Sequence, residues 1–218
     1  MSYVSRADLG GQLGHGAVVP EPDHELFHAA WEPRALALTL AMGATGAWNI
    51  DMSRAARETL PEYATLGYYE IWLAGLQKLL RQRGMLDDAE IAAASSLRPP
   101  VAVALVLAAA DVDSVLARGA PTARPTTAPA RWQVGDRVRA HSGAMNHHTR
   151  LPTYVRGKCG FIERSHGMHV FADAHAQGLG EQPHWLYTVV FEAIDLWPDA
   201  TLGLTVSVDA WEPYLEAV

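Results

Sequence analysis

The chain has 218 residues, enough for one large domain or two small ones. A hydrophobic fraction of 49% with 19% charged residues excludes a disordered chain, a coiled coil and a collagen-like fibre. Seventeen basic against 24 acidic residues give a formal charge of -7, which argues against a nucleic-acid binder and against an electrostatic hold on anionic lipid. The single Cys159 rules out an internal disulfide and a cysteine-built metal cage. The longest strongly apolar run, Val101 to Ala110, is about half of the ~20 residues that span a bilayer. Met1 to Gly16 has no apolar centre of the kind a signal peptide needs. These limits predict a soluble, cytoplasmic, globular protein.

From Met1 to about Asp23 the chain is rich in turn-formers: Gly10, Gly11, Gly14, Gly16, Pro20 and Pro22. Such a segment is either a frayed arm or one that lies along another protein. Helices follow as far as Gly119. Pro33 suits a first helical turn, and Leu36 and Leu40 carry a helix to Gly43. A second helix starts at Asn49 or Asp51 and stops before Pro61. The third is the clearest, with Tyr69, Trp72, Leu73, Leu76, Leu79 and Leu80 at three- and four-residue steps and Gly84 behind them. Asp87 and Glu90 form a capping-box variant that opens a fourth, and Val101 to Leu116 reads as a fifth. GAPTARPTTAPAR, from Gly119 to Arg131, has the prolines of an extended linker. Beyond it the period shifts toward two. Val134, Val138 and Ala140 begin a strand pattern, and Cys159–Arg164 with Met168–Ala172 reads as a hairpin around Ser165-His166-Gly167. Tyr187, Val189 and Phe191 alternate with Thr188 and Val190, and Val206–Trp211 adds another strand. The fold class is therefore α+β, helical first and then a small β-roll or barrel.

No complete catalytic constellation is visible. His147-His148, His166, His169, His175 and His184 follow no zinc-ligand spacing, and there is no HExxH, GxSxG, phosphate loop or GxGxxG. Two segments stand out. One runs from Ile50 and Asp51 through Arg54 to the cluster Gly67-Tyr68-Tyr69-Glu70-Ile71-Trp72. The other, Thr149 to Lys158, places Arg150, Arg156 and Lys158 around Pro152 ahead of a strand. Arginine offers a planar fork of donors suited to fixed oxyanions, although the same cations also fit an ordinary solvated surface.

These segments carry a resemblance. TRLPTYVRGKCGFIERSHGMHVFADAHAQGLGEQPHWLYTVVFEAIDLW with the closing VDAWEPYLE is similar to the β subunit of nitrile hydratase; GGQLGHG, EPDHELFHAAWE, NIDMSRAARETLPEY and GYYEIWLAGLQKLL agree more loosely. The resemblance implies an enzyme of two unlike chains that hydrates small nitriles to amides. No metal is expected on this chain. The partner α subunit is expected to hold Fe(III) or Co(III) through cysteine thiolates, two of them oxidised to sulfinate and sulfenate, and backbone amides. The implied assembly is an αβ heterodimer, extended to α2β2. The implied organisation is a partner-wrapping arm over 1–23, a helical domain over 24–118, a linker over 119–131 and an SH3-like β-roll over 132–218. By motif, the arginines that hydrogen-bond the oxidised cysteines fall on Arg54 in NIDMSRAARE and Arg150 in HTRLP. The aromatic pocket residues fall on Tyr68 and Trp72, with Ile50 at an apolar lining position. Met52 and Ser53 depart from the acidic and aromatic pair that many members carry before the first arginine, and Thr153 stands where arginine is common. Two further readings are a thiocyanate hydrolase component, in which the two halves are separate polypeptides, and a metallochaperone-like accessory protein resembling the helical half alone.

Overall fold

The computed structural model of the chain describes residues 3–218, which divide into two compact units. One, the helical unit, comprises residues 5–7 and His15–Gly119; the other, the sheet unit, comprises residues 3–4, Asp8–Gly14 and Ala120–Val218. The N-terminal segment is thus shared: the Arg6 N–H donates to the Glu58 carbonyl at 2.6 Å within the helical unit, whereas Asp8–Gly14 belongs with the sheet.

In the helical unit, α1 (Glu32–Gly43) begins with Pro33 in its first turn. Helix α2 (Ile50–Glu58) is capped by Asn49, whose side chain accepts from the Met52 N–H at 2.9 Å. Helix α3 (Tyr68–Gln82) opens with Glu70 reaching back to the Gly67 N–H at 2.7 Å. Helix α4 (Asp88–Ala93) has the reciprocal Asp87–Glu90 box that the sequence predicts. Trp48, Ala56, Leu76 and Leu79 form the buried cluster, with Met42, Met52, Leu80 and Met85 against it. The expected fifth helix from Val101 is cut short. Residues 101–108 are irregular, a short 3-10 turn spans Ala109–Asp111, and α5 covers only Val112–Arg118. Pro99 and Pro100 precede this run, and with Leu105 and Val106 exposed and only Val103 and Leu107 partly buried, little packing offsets the entropy of ordering it as helix.

The sheet unit has six strands: β1 (Ala123–Arg124), β2 (Arg137–Ala140), β3 (Cys159–His169), β4 (His184–Glu192), β5 (Thr205–Trp211) and β6 (Leu215–Ala217). All pairs are antiparallel along the open path β5-β4-β3-β2-β6, with β1 also on β3. Short helices α6 (Ala172–Ala176) and α7 (Ala193–Leu196) follow β3 and β4. Tyr187, Val189 and Phe191 point inward at 1% exposure or less, as their alternation requires. Two expectations are corrected here. The segment around Ser165-His166-Gly167 is no hairpin turn but part of β3, where two register shifts against β4 mark bulges and Gly167 takes a φ of 88°. The proline-rich stretch after Gly119 does join the ladder, because Ala123 and Arg124 pair with His169 and Met168 of β3.

Candidate functional site

Four of the five predicted site residues lie in the helical unit, and three share one cleft. A cavity of about 220 Å³ is lined by Arg54, Arg57, Glu58, Tyr63, Tyr68, Ile71 and Trp72. Helix α2 supplies the cations, α3 supplies Tyr68 and Trp72, and the connection between them supplies Tyr63, a consequence of the α2 cap at Asn49 and of the α3 start at Gly67. Ile50 is half exposed at the first turn of α2 and does not line this cleft. The Tyr68 and Trp72 rings lie 5.6 Å apart, four residues along one helix face.

Arg54 is held along its own helix. Its Nη1 lies 3.6 Å from the Asp51 carboxylate and its Nε 4.0 Å from that of Glu58. Those spacings orient the guanidinium without satisfying it, since ion pairs near 4 Å leave its N–H donors short of hydrogen-bond geometry. Arg57, one turn further on, is marked by no motif in the sequence. Its guanidinium sits 4.8 Å above the Trp72 ring and its Nε donates to the Ser53 carbonyl at 3.2 Å. Burial, and then the like charge of Arg54, lowers the Arg57 pKa, yet a guanidinium starts so far above neutrality that it stays charged. The signal for Arg57 was its i, i+3 spacing from Arg54. What brings it to Trp72 is Gly75 on α3, where a β-carbon would come within 2.4 Å of the Arg57 Cγ.

Arg150 belongs to the sheet unit, in the loop between β2 and a 3-10 turn at Thr153–Val155. Its backbone N–H donates to the Tyr214 hydroxyl at 3.0 Å, and that hydroxyl donates to Asp173 Oδ1. Both Tyr214 and Asp173 are only 1% exposed. Burial raises the Asp173 pKa, opposed by hydrogen bonds from Tyr214 and Thr149. Burial likewise raises Tyr214, and the neighbouring Asp173 charge adds to it. His147 Nδ1 lies 3.7 Å from Asp173 Oδ2, and the next carbonyl after Arg150, that of Leu151, accepts from Arg156 at 3.1 Å. The loop that presents Arg150 is thus fixed from beneath by a buried polar network, and Arg156 serves that loop's backbone.

Among the described residues, no group of three or more His, Cys, Asp or Glu side chains gathers as a metal-holding set. The cleft offers guanidinium and phenol donors beside the Glu58 carboxylate, with an apolar wall. A mixed helix-and-sheet chain with an arginine cleft on its helices and an anchored arginine loop on its sheet is the class these features define.

Sequence comparison makes the class specific. The family description "Nitrile hydratase beta subunit, N-terminal" matches residues 4–117, and "Nitrile hydratase beta subunit, C-terminal" matches residues 121–217. The chain is 36% identical over 224 residues to the low-molecular weight cobalt-containing nitrile hydratase subunit beta of Rhodococcus rhodochrous, covering 95% of this chain and 96% of that one. It is 35% identical over 225 residues to a nitrile hydratase subunit beta of Rhodococcus sp, covering 97% and 94%. A thiocyanate hydrolase subunit alpha of Thiobacillus thioparus is 37% identical over 89 residues, covering 39% of this chain and 71% of its own. The chain belongs to the nitrile hydratase β-subunit family.

Proposed function

We propose that this chain is the β subunit of a nitrile hydratase, active with a metal-bearing α subunit in the addition of water across a nitrile C≡N bond to give the amide. The observation that carries the reading is the cleft in which α2 and α3 bring Arg54, Tyr68 and Trp72 together, in a chain aligned with β subunits along nearly its whole length. A trivalent iron or cobalt ion on the α subunit, its cysteine ligands partly oxidised, supplies the Lewis acidity of the reaction. The donor set here suits that arrangement, since guanidinium forks compensate anionic sulfur oxygens rather than bind a cation. Arg54 and Arg150 are the residues that would donate to those oxygens and compensate their charge. The Tyr68 hydroxyl orients a polar group of the partner or substrate. Trp72 with Ile71 supplies the apolar wall of the cleft against which the nitrile sits, and Ile50 lies outside it. The sheet unit corresponds in this reading to the SH3-like roll of the family.

A thiocyanate hydrolase component is the second reading. The thiocyanate hydrolase relative aligns with 39% of this chain, whereas β-subunit relatives align with 95% and more, which favours the first. A metallochaperone-like protein made of the helical half alone is disfavoured by the family match that continues through residues 121–217.

The test separates charge from geometry. In the assembled complex, Arg54→Lys and Arg150→Lys keep the charge and lose the fork. Each is expected to lower turnover of an aliphatic nitrile by about 10²–10³-fold, the usual cost of one lost oxyanion donor. Arg156→Lys is expected to be milder. Metal content and assembly are measured alongside. Full activity in both of the first two variants sinks the clamp, and activity lost together with metal reassigns the arginines to building the centre.

A further inference from the structure

The N-terminal segment Asp8–Gly14 packs on the sheet unit of its own chain, and its contacts fall on one place. Asp8 Oδ2 accepts from the Thr153 backbone N–H at 2.9 Å and from the Thr153 hydroxyl at 2.5 Å. Thr153 opens the one-turn 3-10 helix that follows the Arg150 loop, and Pro152 at the cap position forms no side-chain cap bond. The first N–H of any helical turn lacks a partner within the turn. Here a carboxylate 145 residues away in sequence provides it.

The two glycines after Asp8 show how closely the arm lies. A β-carbon on Gly10 would fall 2.5 Å from the Tyr154 ring, and one on Gly11, whose φ is +77°, would fall 2.0 Å from Trp197 Nε1. Those two rings are themselves in contact, with centroids 5.3 Å apart. Only a glycine pair lets the backbone cross them and keep Asp8 over Thr153. On the other side of the loop, the Tyr3 hydroxyl and His148 Nδ1 are 3.0 Å apart.

The backbone from Arg150 to Thr153 is consequently tied at three points. Tyr214 holds the Arg150 N–H, Arg156 holds the Leu151 carbonyl, and Asp8 holds the Thr153 N–H. Leu151 is buried, and Pro152 fixes its own φ at -61°, leaving little slack between the tethers. Two tethers are internal to the sheet unit's body. The third comes from the arm and can be removed without opening the core.

We propose that Asp8 is a positioning residue, acting through Thr153 on the loop that presents Arg150; this rests on the role given to Arg150 above. Loosening a group that orients a functional ligand usually costs about 10- to 100-fold in activity. In the assembled holoenzyme, Asp8→Ala is expected to lower turnover by about that factor, with a smaller effect on KM. Hydrogen exchange should quicken in the peptide spanning 150–156 and stay unchanged in β4. Asp8→Asn keeps an acceptor oxygen and is expected to restore most of both. Gly10→Ala, which forces the arm off Tyr154, should reproduce Asp8→Ala without touching the carboxylate. In an Arg150→Lys background, Asp8→Ala should cost little more. Equal losses in the two backgrounds, or weakened assembly with unchanged exchange at 150–156, would overturn the proposal and assign Asp8 to the partner interface. If Arg150→Lys alone leaves turnover intact, the reading of Arg150 fails. The exchange measurement then decides by itself whether Asp8 holds the loop: unchanged exchange in Asp8→Ala overturns that too.

Discussion

The sheet unit buries thirteen apolar side chains in one cluster, among them Tyr187, Tyr214, Phe191, Ile162 and Val138 at 2% exposure or less. Among the described residues the helical unit's cluster has four, Trp48, Ala56, Leu76 and Leu79. The same helical unit leaves Leu38, Ile50, Tyr68, Leu97, Leu105, Val106 and Leu116 substantially exposed. Free energy from burial scales with apolar area removed from water, so the sheet unit is held by a large core and the helical unit by a small one, although the sheet unit too leaves apolar side chains such as Val134, Phe161 and Leu202 exposed. The cleft holding Arg54 therefore adjoins a small apolar core, while the loop holding Arg150 rests on a large one.

The sharpest way to break this contrast is at the foot of the Arg150 loop. Tyr214→Phe removes one hydroxyl and leaves both the Arg150 N–H and the buried Asp173 carboxyl without it. A buried hydrogen bond to a charged group is worth on the order of 1.5–3 kcal/mol, and Asp173 keeps its hydrogen bonds from Thr149 and the Arg150 backbone, so a loss of about 2 kcal/mol is expected by denaturant titration followed through tryptophan fluorescence. A loss under ~1 kcal/mol would show that the polar network contributes little beyond the apolar core around it. Helical content, followed separately by circular dichroism, should change far less.

The matching change in the helical unit is Gly75→Ala. In an exposed helix interior such a change gains about 1 kcal/mol from propensity alone. At Gly75 the new methyl would stand 2.4 Å from the Arg57 Cγ and 3.5 Å from its Cα, so the α2–α3 contact must open. Overpacking of this kind costs about 1–3 kcal/mol, and the net expectation is a loss near 1 kcal/mol with Arg57 displaced from Trp72. The sign is the measurement: a higher melting temperature would mean that α2 and α3 do not meet there as described.

The contrast also explains what the sequence disclosed. Helix starts were legible because Asn49, Asp87 and Glu90 act within three residues of themselves, and the inward face of β4 was legible from strict alternation. Residues 101–108 misled because an apolar run reads as helix only when something packs on it. Gly167 suits a turn and a bulge equally, and the choice was made by β4, whose Leu186 pairs with it from nineteen residues away. Ala123 and Arg124 join the sheet through a partner strand that no local signal near Pro121 or Pro125 announces. Arg54, Tyr68 and Trp72, which the resemblance names, line one cleft, whereas Arg57 needs Gly75 across the helix pair to bring it in. Likewise, nothing near Arg150 pointed to Asp173 and Tyr214 as its support.

Where apolar burial is sparse, polar knots take over, and Glu90 offers the mildest test. Its carboxylate accepts from the Leu97 N–H at 3.1 Å, the Asp87 N–H at 3.2 Å and Arg98 at 2.9 Å. Arg98 also reaches Asp87 at 3.1 Å, so one knot ties α4 to the residues just before Pro99 and Pro100. The Arg98 hydrogen bond, then that from Leu97, holds the Glu90 pKa below the ordinary 4.5, with burial working the other way. A carboxyl whose folded pKa is depressed binds fewer protons folded than unfolded. Its stabilisation is therefore present above the ordinary glutamate value and fades as pH falls through the folded one. Glu90→Gln should lower the helical unit's melting temperature modestly at pH 7, and the gap to the parent should close as pH drops below about 4.5. A gap that stays constant from pH 7 to well below that point would mean that the side chain's shape, and not its charge, holds the knot. Any effect on sheet-unit fluorescence at the same pH would blur the division between a core-held and a knot-held unit.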